Sequence, residues 1–255
     1  MKLLFKALFL LIAITAAVPV LAQLDFAATK VRAEAGDAEA QLLLGIMYGM
    51  GSGVISNEFE EAKWFRLAAG QGNADAQAFL GGLYYSGRGV DQNYNDALRW
   101  YRLAAEQGNA SAQAGLGTMY SKGNGVEQSD QAALDWYRLA AEQGNSTAQY
   151  NLAESFRSGI AVEQNNQEAF RWYKLAAEQG YVLAQLNLGI LYYYGKGVAQ
   201  SKSTAYMWFA VAEAQGESLG SEGTDIIHDR ISIQSREKAQ AQATRCFESN
   251  FQDCD

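Results

Sequence analysis

Proline is almost absent. The one proline in 255 residues, Pro19, lies near the amino terminus, so the breaks between helices further on must come from another residue. Histidine occurs once, as His228, and cysteine twice, as Cys246 and Cys254. A nucleophilic triad needs a histidine beside a serine or cysteine with an acid to orient it, and Asp225, Asp229 and Cys246 make no such pattern. A zinc site needs closely spaced ligands, which one histidine and two remote cysteines do not supply. Basic runs are missing too. Lysine and arginine number 20 against 28 acids, for a net charge of −8, which argues against nucleic acid and anionic lipid as partners. No catalytic constellation, metal site or cofactor is therefore expected, and His228 is expected at the surface.

What is present begins with a leader. Lys2 and Lys6 precede the uncharged apolar run Ala7–Val18, and Val20-Leu21-Ala22 puts small residues at the −3 and −1 positions of a cleavage site. This is the order of a secretory signal peptide over residues 1–22. The uncharged stretch Ala7–Leu24 is at the short limit of a membrane span and holds Pro19, so no stable membrane insertion is expected after cleavage. Cleavage removes two lysines and no acid, taking the charge from −8 to −10. An exported chain meets oxidising conditions, which raises the question of Cys246 and Cys254. Eight residues of continuous helix would hold their Cα atoms about 12 Å apart, whereas a disulfide needs less than about 7 Å. Either the helix ends between them, at Ser249-Asn250, and they pair, or both remain thiols.

Glycine is plentiful, at 25 residues, and it is periodic. Trp64, Trp100, Trp136, Trp172 and Trp208 are each 36 residues apart, as are Gly36, Gly72, Gly108, Gly144, Gly180 and Gly216. A fixed period of this size marks stacked repeats sharing one continuous core. Five units are expected at 37–72, 73–108, 109–144, 145–180 and 181–216. Residues 23–36 precede them as a capping half-repeat, and 217–255 follow as a cap.

Each unit reads as two helices. Gln77, Leu80, Gly81 and Tyr84 make one apolar stripe, and Ala97, Trp100, Tyr101, Ala104 and Ala105 another. Asn73, Asn109, Asn145 and Asp37 are placed to cap first helices, while Tyr181 loses that cap. Asn57, Asn93, Ser129, Asn165 and Ser201 are placed to cap second helices, with Glu60 and Glu168 completing capping boxes. Gly-x-Gly-Val turns join the helices, at Gly87/Gly89/Val90 for example. They lack the Lys-Ser/Thr of a phosphate loop. In the first unit Glu61 falls in the alanine slot, so its second helix is expected to pack poorly. The fourth unit has Ala153 for a glycine, Phe156 for a tyrosine and Ala161 for the second turn glycine. Glu217–Glu222 break the period, and a polar helix or helix pair is expected from about Gly223 to Phe247.

The combination Ala-x-x-x-Leu-Gly-x-x-Tyr, Gly-x-Gly-Val, Ala-x-x-Trp-Tyr-x-x-Ala-Ala-x-Gln-Gly over 37–216 resembles the Sel1-like repeat family, relatives of tetratricopeptide repeats. The tail from Ala243 to Cys254 resembles the ends of exported proteobacterial members. The resemblance implies an all-α fold, a right-handed α-solenoid of five 36-residue helix-turn-helix repeats with terminal capping helices. It also implies a non-enzymatic scaffold or adaptor for protein complexes, periplasmic or secreted.

A residue required in every unit serves the unit. Gln41, Gln77, Gln113, Gln149 and Gln185 are therefore expected to bond a neighbouring turn rather than form a ligand ladder. Binding is expected where units differ. By analogy with tetratricopeptide grooves, the groove positions are Glu39, Leu42, Ile46 and Gly49 and their counterparts 36, 72, 108 and 144 residues on. The fourth unit is the polar outlier, with Tyr150, Glu154 and Arg157 in one stripe, flanked by Tyr85 and Tyr193. These five are the candidate site for a protein segment. The other reading is a solvated face with a Glu154–Arg157 pair worth a few tenths of a kcal/mol. A glycan of the envelope, stacking on the tyrosines, is the alternative ligand. β-Lactam hydrolysis, described for some cysteine-rich relatives, is disfavoured because their helix-pair cysteines are missing.

Overall fold

The computed structural model describes residues 25–254; the expected leader, residues 1–22, lies outside them. Among the described residues there are thirteen helices and no strand. They are α1 Phe26–Glu34, α2 Ala38–Met50, α3 Glu58–Gly70, α4 Ala74–Ser86, α5 Tyr94–Glu106, α6 Ala110–Lys122 and α7 Asp130–Glu142, followed by α8 Ser146–Ser158, α9 Asn166–Ala177, α10 Val182–Tyr194, α11 Lys202–Ala214, α12 Ser218–His228 and α13 Ile233–Glu248. The fold is an all-α solenoid. It forms two compact units with a boundary inside α7, after Trp136. None of these helices is long and apolar enough to cross a membrane.

In the first unit each second helix packs against the first helix of its own repeat and that of the next: α3 against α2 and α4, α5 against α4 and α6. The core between α3 and α4 is Phe65, Ala68 and Ala69 against Ala76, Leu80 and Leu83. In the second unit α9 and α11 play the same part, and Phe209 and Ala212 of α11 pack with Leu186 and Ile227. The alanines are small enough to let the backbones approach.

The caps fall where the sequence puts them. Asn73 Oδ1 accepts the Ala76 amide at 2.9 Å, and Asn57 Oδ1 accepts those of Phe59 and Glu60. Tyr181 makes no side-chain cap bond. The expected capping boxes do not form, because the amides of Asn57 and Asn165 are already given to Tyr48 O and Phe156 O. Glu60 instead accepts the Trp64 indole N–H at 3.1 Å and Lys63 Nζ at 3.0 Å.

The turn glycines explain how close the repeats sit. At Gly89, with φ of 67°, a Cβ would come within 2.1 Å of the Glu58 carbonyl oxygen at the start of α3. Ala161 holds the corresponding position in the fourth repeat and takes φ of 58° all the same.

Two expectations need correction. The helix expected from about Gly223 begins earlier, since α12 starts at Ser218 with Glu217 as its cap and takes in most of residues 217–222. Their glycine is a packing device: a Cβ on Gly220 would lie 2.5 Å from the Glu213 amide nitrogen of α11. Helix α3 is not loose either, because Glu61 is 2% exposed and Phe65 beside it is as buried. At the far end, α13 stops at Glu248, and Asn250 and Phe251 take positive φ. The reversal brings Cys246 and Cys254 to a Cα separation of 4.4 Å, and they are bonded.

Candidate functional site

The five recurring glutamines serve the stack. Gln77 Nε2 donates to Ala69 O at 3.2 Å, and its Oε1 accepts Gln107 Nε2 at 2.8 Å. The same pair of bonds recurs at Gln41 with Ala33 and Gln71, and at Gln149 with Ala141 and Gln179. A buried amide bonded at both ends to its neighbours is a structural group that ties one repeat to the next.

Of the twenty expected groove positions, four are core. Leu42, Ala78, Ala114 and Leu186 are buried, because they sit on the flank of the first helix that faces the neighbouring second helix. The exposed stripe lies one residue further round. On α10 it consists of Leu183 (39% exposed), Asn187, Ile190 (42%) and Tyr194 (63%), at i, i+4, i+7 and i+11. In the second, third and fourth repeats the end positions of this stripe hold Asp75 and Ser86, Ser111 and Lys122, and Thr147 and Ser158. The fifth repeat alone among these four presents an apolar row.

Tyr150, Glu154 and Arg157 share a face of α8. Arg157 Nη2 donates to Glu154 Oε2 at 2.6 Å, and Arg157 Nε to Glu154 Oε1 at 3.2 Å. Tyr173, from α9, donates its hydroxyl to Glu154 and accepts from Arg157 Nε. Burial, reinforced by the Glu154 carboxylate, pushes the Tyr173 phenol up, so it stays a donor. The bond to Glu154 holds the Arg157 guanidinium in its charged form. The polar triplet is thus tied to α9 rather than free. Tyr150 stacks beside Tyr181 at a centroid distance of 5.0 Å and hydrogen-bonds Asn187 of α10, and burial pushes its phenol up. Asn187 Nδ2 in turn donates to Leu183 O. Tyr150 therefore adjoins the apolar row of α10, and the two make one surface in the second unit.

Tyr193, also in the second unit, has its hydroxyl taken by Arg230, while its ring meets Tyr194 edge-on at 4.9 Å. Tyr85, in the first unit, accepts a hydrogen bond from Asn124 Nδ2 at 3.0 Å. Both are fastened by the next turn along. The sequence reading missed Tyr173, Tyr181, Asn187 and Tyr194. Two had a visible signal: Tyr181 replaces a cap, and Tyr194 stands where the three preceding repeats have serine or lysine. His228 is exposed and contacts Asp229 and Arg236.

The repeats themselves can be compared with known families. A model of the Sel1 repeat matches residues 38–73, 74–109, 110–145, 146–181 and 182–217, one residue later than the register set by the glycines. This chain belongs to the Sel1 repeat family.

Among solved structures, it resembles a protective antigen of uropathogenic Escherichia coli that displays an SLR fold. The identity is 35% and the TM-score 0.79, over 89% of this chain and 49% of that one. It also resembles a Sel1 repeat protein from Oxalobacter formigenes at 31% identity and a TM-score of 0.72, over 79% of this chain and 59% of that one. This Sel1 repeat chain therefore spans only half to three fifths of those two proteins. A Sel1 repeat protein from Klebsiella pneumoniae, at 23% identity and a TM-score of 0.54, shares the fold. No curated protein matches.

Proposed function

We propose that this Sel1 repeat chain is a non-enzymatic scaffold of the bacterial envelope that binds a protein segment on the surface formed by α10 and Tyr150. The observation that carries this reading is the exposed row Leu183, Ile190 and Tyr194, apolar where neighbouring repeats are polar. Large apolar side chains standing together beside tyrosines are the usual core of an interface. The paired Cys246 and Cys254 are compatible with export. Because Arg157 is committed to Glu154 and Tyr173, substituting it would disturb the α8–α9 contact, so Ile190→Asp and Tyr194→Ala are the sharper variants. Capture from envelope extract should lose a protein with either variant and keep it with the remote Arg99→Ala. Identical recovery with all forms would refute the reading. The exposed Tyr194 ring also supports a second one, stacking of an envelope sugar, which co-sedimentation with peptidoglycan tests through Tyr194→Ala.

A further inference from the structure

Successive repeats of the first unit are joined by a side chain reaching back from the Gly-x-Gly turn. In the third repeat it is Asn124, which donates to Tyr85 of the second. In the second repeat it is Arg88, but the position 36 residues before Tyr85 is Gly49, which offers no hydroxyl. The space is filled from another helix. Glu61 of α3 lays its carboxylate against Gly49, where a Cβ would come within 2.6 Å of Glu61 Oε1, and Arg88 Nη2 donates to that oxygen at 2.5 Å. The other four repeats carry Ala97, Ala133, Ala169 and Ala205 at this place, all buried. Three residues thus meet here: in the first repeat a glycine for a larger residue and an acid for an alanine, and from the second repeat an arginine opposite. The acid is itself incompletely served, since Glu61 Oε2 is buried without a hydrogen-bond partner.

We propose that Glu61 and Arg88 form a proton-controlled tether between the first and second repeats, drawn tight when Glu61 is ionised and slackened when it carries a proton. The proton goes to Oε2, the orphaned oxygen, and neutralises a carboxylate that burial disfavours. Arg88 then faces a neutral acceptor. It is partly exposed, its side chain at 32%, and turns to water at little cost once the charge opposite is gone. The groups acting on Glu61 are few. Arg88, from the turn after α4, favours ionisation; Glu58, one turn back on α3, opposes it. The one charge of α2, Glu39, and the one acid of α4, Asp75, lie at the opposite ends of their helices. Burial outweighs Arg88 and raises the carboxyl from 4.5 to about 7. The tether therefore changes state near neutrality, whereas its counterpart, Asn124 on Tyr85, is a neutral bond with no such response.

The test uses the whole chain labelled with ¹³C at the glutamate carboxyls, titrated by NMR, with Glu61→Gln identifying the resonance. The carboxyl signal should move with a midpoint near 7. The Arg88 side-chain Nε–H signal should move with the same midpoint, and Arg88→Ala should raise the carboxyl midpoint by removing the favourable charge. Glu61→Ala restores the residue of the other repeats and keeps the test open if the glutamine variant folds poorly; in it the Arg88 signal should be flat. A midpoint in the ordinary glutamate range, or an Arg88 signal that ignores the Glu61 titration, overturns the proposal.

Discussion

Adding one methyl group at Gly81 should destabilise the chain, although alanine is the better helix former. Gly81 lies inside α4, and a Cβ built there would stand 2.7 Å from Tyr101 Cδ1 and 3.0 Å from Cε1. Ordinary carbon contacts begin near 3.5 Å, so the ring must retreat by close to an ångström. It has nowhere to go. On its other side Tyr101 meets Gly115 of α6, where a Cβ would be 2.7 Å from Cζ, so the ring is held between two glycines. Overpacking of this kind costs about 1–3 kcal/mol, against about 1 kcal/mol gained from helix propensity. The blocked retreat favours the upper figure, giving a net loss of about 1–2 kcal/mol. At about 2–4 °C per kcal/mol for a chain of this size, Gly81→Ala should melt about 2–8 °C lower. The control is Gly70→Ala. Gly70 is also helical, closes α3, and has nothing within 4 Å of its would-be Cβ, so it should gain about 0.5–1 kcal/mol. Thermal unfolding followed by circular dichroism reads both. If Gly81→Ala stabilises as Gly70→Ala does, the glycine is not there to seat the ring, and the reasoning fails. Combining it with Tyr101→Leu should recover part of the clash.

Stability should fall as pH rises between about 4.5 and 7. Glu61 is raised to about 7 in the fold, so the native state holds its proton more tightly than the unfolded chain. Its contribution is complete below about 4.5 and gone above about 7, a span on the order of 3 kcal/mol. Urea unfolding at pH 5 and pH 8 should show that slope in the parent and lose it in Glu61→Ala. Reducing Cys246–Cys254, eight residues apart, should cost about 2–3 kcal/mol of the stability of the carboxy-terminal segment. Phe251, whose ring covers Gly180, should leave with it, seen as faster hydrogen exchange at the end of α13 without change in α2–α5. Gln77→Leu removes two side-chain hydrogen bonds, the one to Ala69 O and the one from Gln107 Nε2, and leaves Ala69 O to the Gly72 amide and Gln107 Nε2 to Leu103 O. It should cost about 1–3 kcal/mol in denaturant unfolding, against a few tenths for the exposed Gln131→Leu.

The repeat was legible because each position it requires is required by its own unit. A glycine at 72, 108 and 144 ends a helix, an asparagine next to it caps the following one, and each need is met within a few residues in sequence. The caps at Asn57, Asn73 and Asn165 could be read for that reason, and so could the structural use of the glutamines. Reading failed where a residue answered to something distant. Glu60 looked like half of a capping box, but its partner amide was already taken by Tyr48 O. Glu61 looked like a flaw in α3 until Gly49 and Arg88, from two other elements, were seen to meet it. Residues 217–222 looked like a break because Gly220, which packs closely on α11, is the same letter as a helix breaker.

By itself, then, the sequence determined the period, the two helices of each repeat, and their caps and turns. These follow from local sterics and hydrogen bonding repeated every 36 residues. Only the tertiary structure decided which outward residues are free. It buried Leu186, tied Arg157 to Tyr173 and Tyr193 to Arg230, and left Leu183, Ile190 and Tyr194 in the open. The physical reason is that helical periodicity assigns a residue to a face, but its availability depends on which side chains of neighbouring repeats reach across to it.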